Sequence, residues 1–413
     1  MVRLIFINRF FYPDHSATSQ ILSDLAFHLA NEGHAIHVIT SRQIYDDSRA
    51  ALAGYETVNA VHVHRVASTQ FGRSALLGRA FDYLSFYRSV RRSLTELTGP
   101  NDLIIAKTDP PLLSVVAGAV ARRRGARLVN WLQDIYPEIA AVLGVPLIRG
   151  PVGKALAGLR NRGLRQAEAT VVVGELMAQK VQTLGAPAAR VHVIPNWCND
   201  EAIKPIAQQN NPLRERWSLL GKFVFGYSGN LGRAHEYSTV LAAAERLRSD
   251  ARIAFVMIGG GTRFDELRSA VKTRGLDNSF RFMPYQEQAM LPYSLNVPDV
   301  HWLSLSPKLE GLIVPSKFYG IAAAGKPIVV IGDRDGELAT LVRHHDCGAA
   351  VAPGDVNRLA EMLQRWAAQP QTISTCGLRA RQMLEEHFTR RQGLARWSEL
   401  IKQLAQSSLG QVT

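Results

Sequence analysis

The sequence predicts two doubly wound α/β domains in tandem, and three observations carry that prediction. Short apolar runs rich in β-branched residues alternate with longer runs whose apolar residues recur at helical spacing. The short runs are almost continuously apolar, as the strands of a parallel sheet covered on both faces must be. The alternation stops once, near residue 200, and then restarts, in a chain whose 413 residues exceed one ordinary core.

Taken in order, 3–8 (RLIFIN) reads as a buried strand, 17–33 as a helix ended by glycine, and 35–40 (AIHVIT) as a strand again. Strand 61–67, a helix around 75–97, strand 103–108, a helix around 111–124, strand 127–132, a helix within 152–168, and strands 169–174 and 191–196 follow. Residues 196–217, rich in Asn, Gln and Pro and without periodicity, read as the linker between a domain of 1–200 and one of 201–385. Strands at 223–229, 253–259, 280–285, 299–305, 327–332 and 348–353, with helical runs between them, build the second domain. In the terminal segment 386–413, residues 390–406 form an amphipathic helix that either caps the second domain or crosses back to the first. Ligands of such sheets bind beyond the carboxyl ends of the strands, so two sheets facing one another would make one cleft for two substrates.

Composition narrows the function. Apolar residues are 46% and charged residues 20%, which builds globular cores and excludes a disordered chain. The cysteines, Cys198, Cys347 and Cys376, are few, odd in number and scattered, which argues against a disulfide framework or zinc knuckle and for a reducing compartment. The apolar run Leu4 to Ile7 is too short for a signal-peptide core, and the longest candidate span, Leu103 to Ala121, is interrupted by Lys107, Asp109 and two prolines. A cytoplasmic chain is expected. The net charge of +13 asks for an anionic partner. No nucleic-acid module is present: no zinc spacing, no aromatic RNA-binding motif, no basic tail. Arginines crowd between 65 and 165 among aromatic and aliphatic residues. Arg88, Arg91 and Arg92 in the helix around 75–97, with Arg160, Arg162 and Arg165 in 152–165, form either a solvated basic face or an amphipathic surface for the anionic cytoplasmic membrane face.

Five loops at strand ends carry the candidate chemistry. GYSGNLGRAHEY (226–237) brings three glycines near a helix start, with Arg233 and His235 to add charge; glycines also serve a plain βα turn. IGGGTR (258–263) poses the same choice. SPKLEGLIVPSKFYG (306–320) is the strongest. Its helix starts at Pro315 or Ser316, Ser316 is a plausible cap, and Lys317 sits in the first turn, where a cation opposes the dipole unless an anion is bound. Glu310 in the same loop is either an acceptor for sugar hydroxyls or a solvated carboxylate. NRFFYPDHSATSQ (8–20) has no glycine, which excludes a dinucleotide fingerprint, and offers Asp14, His15, Ser16, Thr18 and Ser19, more polar groups than capping needs. WLQDIYPE (131–138) places Gln133, Asp134 and Glu138 after a strand, where a lone carboxylate is often a cap.

Together YPDHSATSQ, WLQDIYPE, VIPNW, GYSGNLG, IGGG and EGLIVPSKFYGIAAAGKP, in that order, resemble the retaining glycosyltransferases of family 4, and within them the WbuB-type bacterial sugar transferases of O-antigen or capsule assembly. The resemblance implies the GT-B fold, two Rossmann-like domains across a cleft. It implies a nucleotide-sugar donor, a lipid-diphosphate-linked saccharide acceptor, and a metal-independent reaction without a cofactor in which the leaving diphosphate helps take the acceptor proton. Carried over, the donor diphosphate meets Gly229, Asn230, Arg233, His235, Val314, Ser316 and Lys317, and the nucleotide and sugar meet Gly259, Gly260, Tyr285 and Gly311. Glu310, His15 and Asp134 are the catalytic candidates, with Asp14 and Ser16 in the first-domain loop. The chain departs from the family twice. The second carboxylate of the Glu-x7-Glu motif falls at Phe318 or Gly320, and the Arg–Lys diphosphate pair falls at Asn230 and His235, leaving Arg233 and Lys317 to supply charge. Nucleotide-sugar 2-epimerases share the fold but need no acceptor, so the basic, apolar helices favour transfer over epimerisation; a non-catalytic sugar-nucleotide binder is the third reading.

Overall fold

The computed structural model describes residues 3–45, 47, 50–71, 76–148 and 150–409; the basic run that starts at Arg73 begins outside them. Eight strands form one sheet: β1 (Leu4–Ile7), β2 (Ile36–Ser41), β3 (Tyr55–Val58), β4 (Val61–Val66), β5 (Leu103–Ala106), β6 (Arg127–Trp131), β7 (Ala169–Val172) and β8 (Val191–Val193). Their order is β3-β4-β2-β1-β5-β6-β7-β8. Six more form a second sheet: β9 (Phe223–Asn230), β10 (Ile253–Gly260), β11 (Phe280–Met283), β12 (Val300–Ser304), β13 (Ile328–Ile331) and β14 (Gly348–Val351), in the order β11-β10-β9-β12-β13-β14. All pairings are parallel except β3 on β4.

The central strands β1, β5 and β13 are buried along their whole length, which is why their residues are apolar without alternation. β3 is the strand the sequence did not announce. It is an edge strand with alternate residues in solvent, so Tyr55–Val58 lacks a continuous apolar run. Both sheets are doubly wound. The strand order turns back between β1 and β5 in one and between β9 and β12 in the other, and ligands bind at such points.

The chain divides into two compact units. One holds residues up to Pro195 together with those from Arg391 onward; the other is Asn196–Arg390. The expected linker 196–217 is instead built into the second unit. Asn196, Asp200, Asn211 and Arg214 are buried, Arg214 is paired with Asp299 at 2.9 Å, and Asp200 accepts the Arg390 N–H at 2.9 Å. The Asn-rich composition there supplies hydrogen-bonding side chains, not flexibility. The helix Arg390–Leu409 completes the first unit: Trp397 packs on Trp131 with ring centroids 4.6 Å apart, and Arg127 donates to the Leu404 carbonyl at 2.5 Å.

Candidate active site

In the second unit, the carboxyl ends of β9 and β10 and the loop after β12 meet at Lys317. Gly229 takes φ 126°, and a Cβ there would lie 2.2 Å from the Lys317 side chain; Gly259 takes φ 127°, and a Cβ there would lie 2.3 Å from the Gly229 carbonyl oxygen. The glycines therefore let the two strand ends lie close to each other and to a lysine. Gly260 adjoins the Tyr285 ring, whose side chain is largely exposed.

Lys317 Nζ donates to the Tyr227 hydroxyl (2.8 Å) and the Asn230 carbonyl (2.9 Å) and stands 4.9 Å from the Tyr227 ring centroid. Burial brings its pKa down to about 8. This corrects the idea that only an anion relieves a cation at this helix start, because neutral oxygens and a π-face hold it. The helix itself is Lys317–Ala323, seven residues, so it begins after both Pro315 and Ser316, and the Ser316 hydroxyl makes no capping bond. Val314 is buried behind the loop, and Gly311 takes φ 70° in it.

His235 does not supply charge. Its Nδ1–H donates to the Ser304 carbonyl at 2.6 Å, and burial, aided by the neighbouring Lys317 charge, lowers its pKa to about 4. Arg233 is exposed, and Asn230 offers the site its carbonyl. A cation that sequence reasoning passed over is Arg263, which donates to the His235 carbonyl at 2.7 Å; its signal was the last letter of IGGGTR.

Glu310 is not the solvated loop carboxylate. It lies at the start of helix Glu337–His344 and accepts the Glu337 N–H at 3.2 Å. A Cβ on Gly336 would come 2.4 Å from its Oε1. Burial first, then the Asp333 and Glu337 charges, raise its pKa to about 7. Phe318 and Gly320, where a second carboxylate would fall, are in the core.

In the first unit the polar residues of the loop after β1 mostly hold the loop itself. Asp14 is buried; one carboxylate oxygen accepts the Ser16 N–H (2.8 Å) and hydroxyl (2.5 Å), and the other accepts the Tyr45 N–H (2.5 Å). The Ser19 hydroxyl donates to the Asp14 carbonyl at 3.1 Å, whereas His15 is exposed. These bonds account for the surplus of polar groups. Asp134, half-buried beyond β6, has its pKa raised to about 7 by burial and by Asp109, against the pull of Lys107. Lys107 was missed. It is 1% exposed, donates to the Thr18 carbonyl at 3.0 Å, lies 3.9 Å from the Trp131 ring centroid, and is lowered to about 7 by burial. The only hint was a lysine ending the apolar run LIIAKT.

The basic surface also needs correction. Arg160 is buried against Glu138 at 2.5 Å, so it is no lipid-facing cation. Arg88, Arg91, Arg92, Arg162 and Arg165 are exposed, and Arg92 pairs with Glu96 at 3.0 Å. No described helix is long and apolar enough to cross a membrane.

Two Rossmann-like units, each with a largely parallel sheet that reverses its strand order, have the GT-B architecture. The chain belongs to the glycosyltransferases: residues 17–197 match the family described as glycosyl transferase 4-like domain, and residues 211–383 match glycosyl transferases group 1. It is 25% identical over 338 residues to a probable glycosyltransferase, WbjE, of Pseudomonas aeruginosa, covering 80% of this chain and 81% of that one. It is 26% identical over 341 residues to the putative colanic acid biosynthesis glycosyl transferase WcaI of Escherichia coli K12, covering 80% and 83%. In fold it is similar to sucrose-phosphate synthase from Thermosynechococcus elongatus (TM-score 0.80, 16% identity, 98% of this chain and 100% of that one). It is also similar to Anabaena HepE in complex with UDP-glucose (TM-score 0.72, 16% identity, 98% and 100%).

Proposed function

We propose that the chain moves a sugar from a nucleotide-diphosphate donor to a lipid-linked saccharide acceptor during surface polysaccharide assembly, with retention at the anomeric carbon and without a metal. The observation that carries this reading is Lys317, a half-buried cation held by Tyr227 and Asn230 where the second sheet reverses its strand order, bordered by the glycine-bearing ends of β9 and β10. As the anomeric C–O bond breaks, charge accumulates on the leaving diphosphate. A cation already partly withdrawn from water and already positioned stabilises that charge more than one that must reorganise. Arg233 adds an exposed cation on the same loop as His235. The UDP-glucose complex of HepE supports a sugar-nucleotide donor, and the name of WcaI, a putative colanic acid biosynthesis glycosyl transferase, supports a role in polysaccharide biosynthesis. Asp134, held near neutrality beside Lys107, can exchange a proton with the acceptor hydroxyl on the first unit.

The acceptor surface is proposed to meet the membrane. Helix Leu76–Leu97 exposes Phe81 and Leu84 with Arg88 and Arg91, and helix Pro151–Gln166 exposes Val152 and Leu159 with Arg162 and Arg165. The test is a panel of UDP- and GDP-sugars with and without a lipid-linked saccharide, in excess EDTA. Acceptor-dependent release of nucleotide that persists in EDTA is expected. Release that needs added Mg²⁺ or Mn²⁺ removes the metal-free mechanism, and sugar isomerisation without transfer would make the protein an epimerase.

A further inference from the structure

We propose that the edge hairpin of the first sheet, β3 with β4, is an acid-labile clasp: a stack of three histidines fixes it to β2 on one face, Arg65 makes it hold the loop after β1 on the other, and acidification releases both. The device lies within the first unit and is independent of the transferase reading.

The two faces follow from the register. β4 pairs with β2 so that His62 lies opposite His37, and with β3 so that His64 lies opposite Tyr55 and His62 opposite Thr57. Paired residues share a face, as do residues two apart along a strand, so these five side chains form one patch. Within it His37 Nδ1 and His64 Nε2 are 3.0 Å apart. The His37 ring stacks on those of His62 (centroids 4.8 Å apart) and His64 (5.3 Å), and the Tyr55 hydroxyl is 2.8 Å from His62 Nδ1. All three imidazoles are half-buried.

Arg65 and Glu56 lie on the opposite face, where Arg65 is buried. Its guanidinium pairs with Glu56 of β3 at 2.5 Å and donates to the Ala53 carbonyl at 3.3 Å and the Tyr12 carbonyl at 2.9 Å. Tyr12 belongs to the loop after β1, the loop that Asp14 also ties to Tyr45. Displacing β3 therefore takes Glu56 from a buried guanidinium and unsettles the hold on Tyr12.

Charge on the stack is what displaces β3. In the neutral pair one nitrogen of His37 and His64 donates and the other accepts; a proton on each ring leaves two N–H donors facing each other and two like charges in contact. Burial first, then the His64 and His62 rings and Arg3, lower the His37 pKa to about 4 against the pull of Asp102, and burial with His62 lowers that of His64. Arg3 and Asp102 pair with each other at 2.6 Å, so they leave little net charge beside the stack. Helix Leu76–Leu97 covers the same face, since Ile39, two residues beyond His37, packs with Phe86, Val90 and Leu94. Its Arg88 and Arg91 are exposed, Arg92 pairs with Glu96, and Arg79 and Asp82 line a cavity with Arg9 and Asp109 beyond the other end of the strands. Because the closed hairpin disfavours protons, its stability is complete above the ordinary imidazole value of 6.5 and is lost as pH falls from there towards 4.

The test is hydrogen exchange of the full chain by mass spectrometry at pH 7.5 and pH 5, normalised for the pH dependence of chemical exchange. Protection of residues 55–66 should fall roughly tenfold, less than a fully buried group would give, with residues 10–16 following and β5, β6, β9 and β12 unchanged. His37→Gln and His64→Gln, made separately, should each flatten this response, and a parent-like melting transition at pH 7.5 shows which of them is folded. Glu56→Ala, at a half-exposed position, should loosen residues 10–16 at both pH values. Equal protection of 55–66 at the two pH values, an unaltered response in the histidine variants, or a loss shared by β5 and β6 overturns the clasp. Opening of 55–66 that leaves 10–16 unchanged, in the parent and in Glu56→Ala, overturns the hold on the loop and the proposal with it.

Discussion

Lys317 illustrates how one side chain links local folding to chemistry. Its ammonium was recognisable in the sequence because a cation in the first turn of a helix conflicts with the dipole. Its partners were not, because Tyr227 lies 90 residues away and is brought close only by the sheet. With a pKa near 8, well below that of a solvated lysine, the protonated form that binds a diphosphate is lost as pH rises through about 8. The donor KM should therefore rise above that pH, while Lys317→Ala should weaken donor binding by about 1.5–3 kcal/mol, roughly 10- to 150-fold, below that pH and by progressively less above it. A flat KM between pH 7 and 9.5 in the parent chain, or wild-type donor binding by Lys317→Ala, would remove the residue from the donor site. His235 shows the opposite case. Sequence offers it as a cation, but the Ser304 carbonyl and burial keep it neutral, and nothing within its own loop reveals either.

At the scale of elements, the parallel strands were legible because burial on both faces leaves a continuous apolar run, and β3 was not because an edge strand carries half a signal. The same logic applies to the basic helices. Amphipathic periodicity identified helix Leu76–Leu97, but periodicity does not say which arginine meets a buried carboxylate, and so Arg160 of helix Pro151–Gln166 was assigned to a surface it does not reach. What remains exposed is a smaller patch of Phe81, Leu84, Arg88 and Arg91, joined by Val152, Leu159, Arg162 and Arg165 on the second helix. Each cation near an anionic surface contributes about 1 kcal/mol, and the apolar residues add burial in the headgroup region. Vesicle sedimentation should show binding that requires anionic lipid, falls with salt, and weakens when Arg88, Arg91, Arg162 and Arg165 become Gln, while Arg160→Gln instead lowers thermal stability. Equal sedimentation with neutral and anionic vesicles, or none with either, ends the proposal.

At the scale of the whole molecule, the chain enters the first unit, leaves it at Pro195, builds the second, and returns at Arg391 to finish the first. The sequence could only pose that return as one of two alternatives, because the amphipathic face of 390–406 fits any apolar surface; the decision comes from Trp131, on a strand about 260 residues earlier in the chain. The first unit therefore depends on a segment made only after all of Asn196–Arg390. Trp397 is fully buried, and replacing such a residue by alanine costs about 3–5 kcal/mol, with the cavity adding to the lost transfer energy. Trp397→Ala should accordingly loosen the first unit alone. Hydrogen exchange followed by mass spectrometry should show faster exchange in β5, β6 and β7, unchanged protection in β9, β12 and β13, and retained binding of UDP at the second-unit site. Trp397→Phe, which keeps an aromatic ring against Trp131, should recover most of the protection. If protection falls equally in both units, or nowhere, the terminal helix is not what completes the first one.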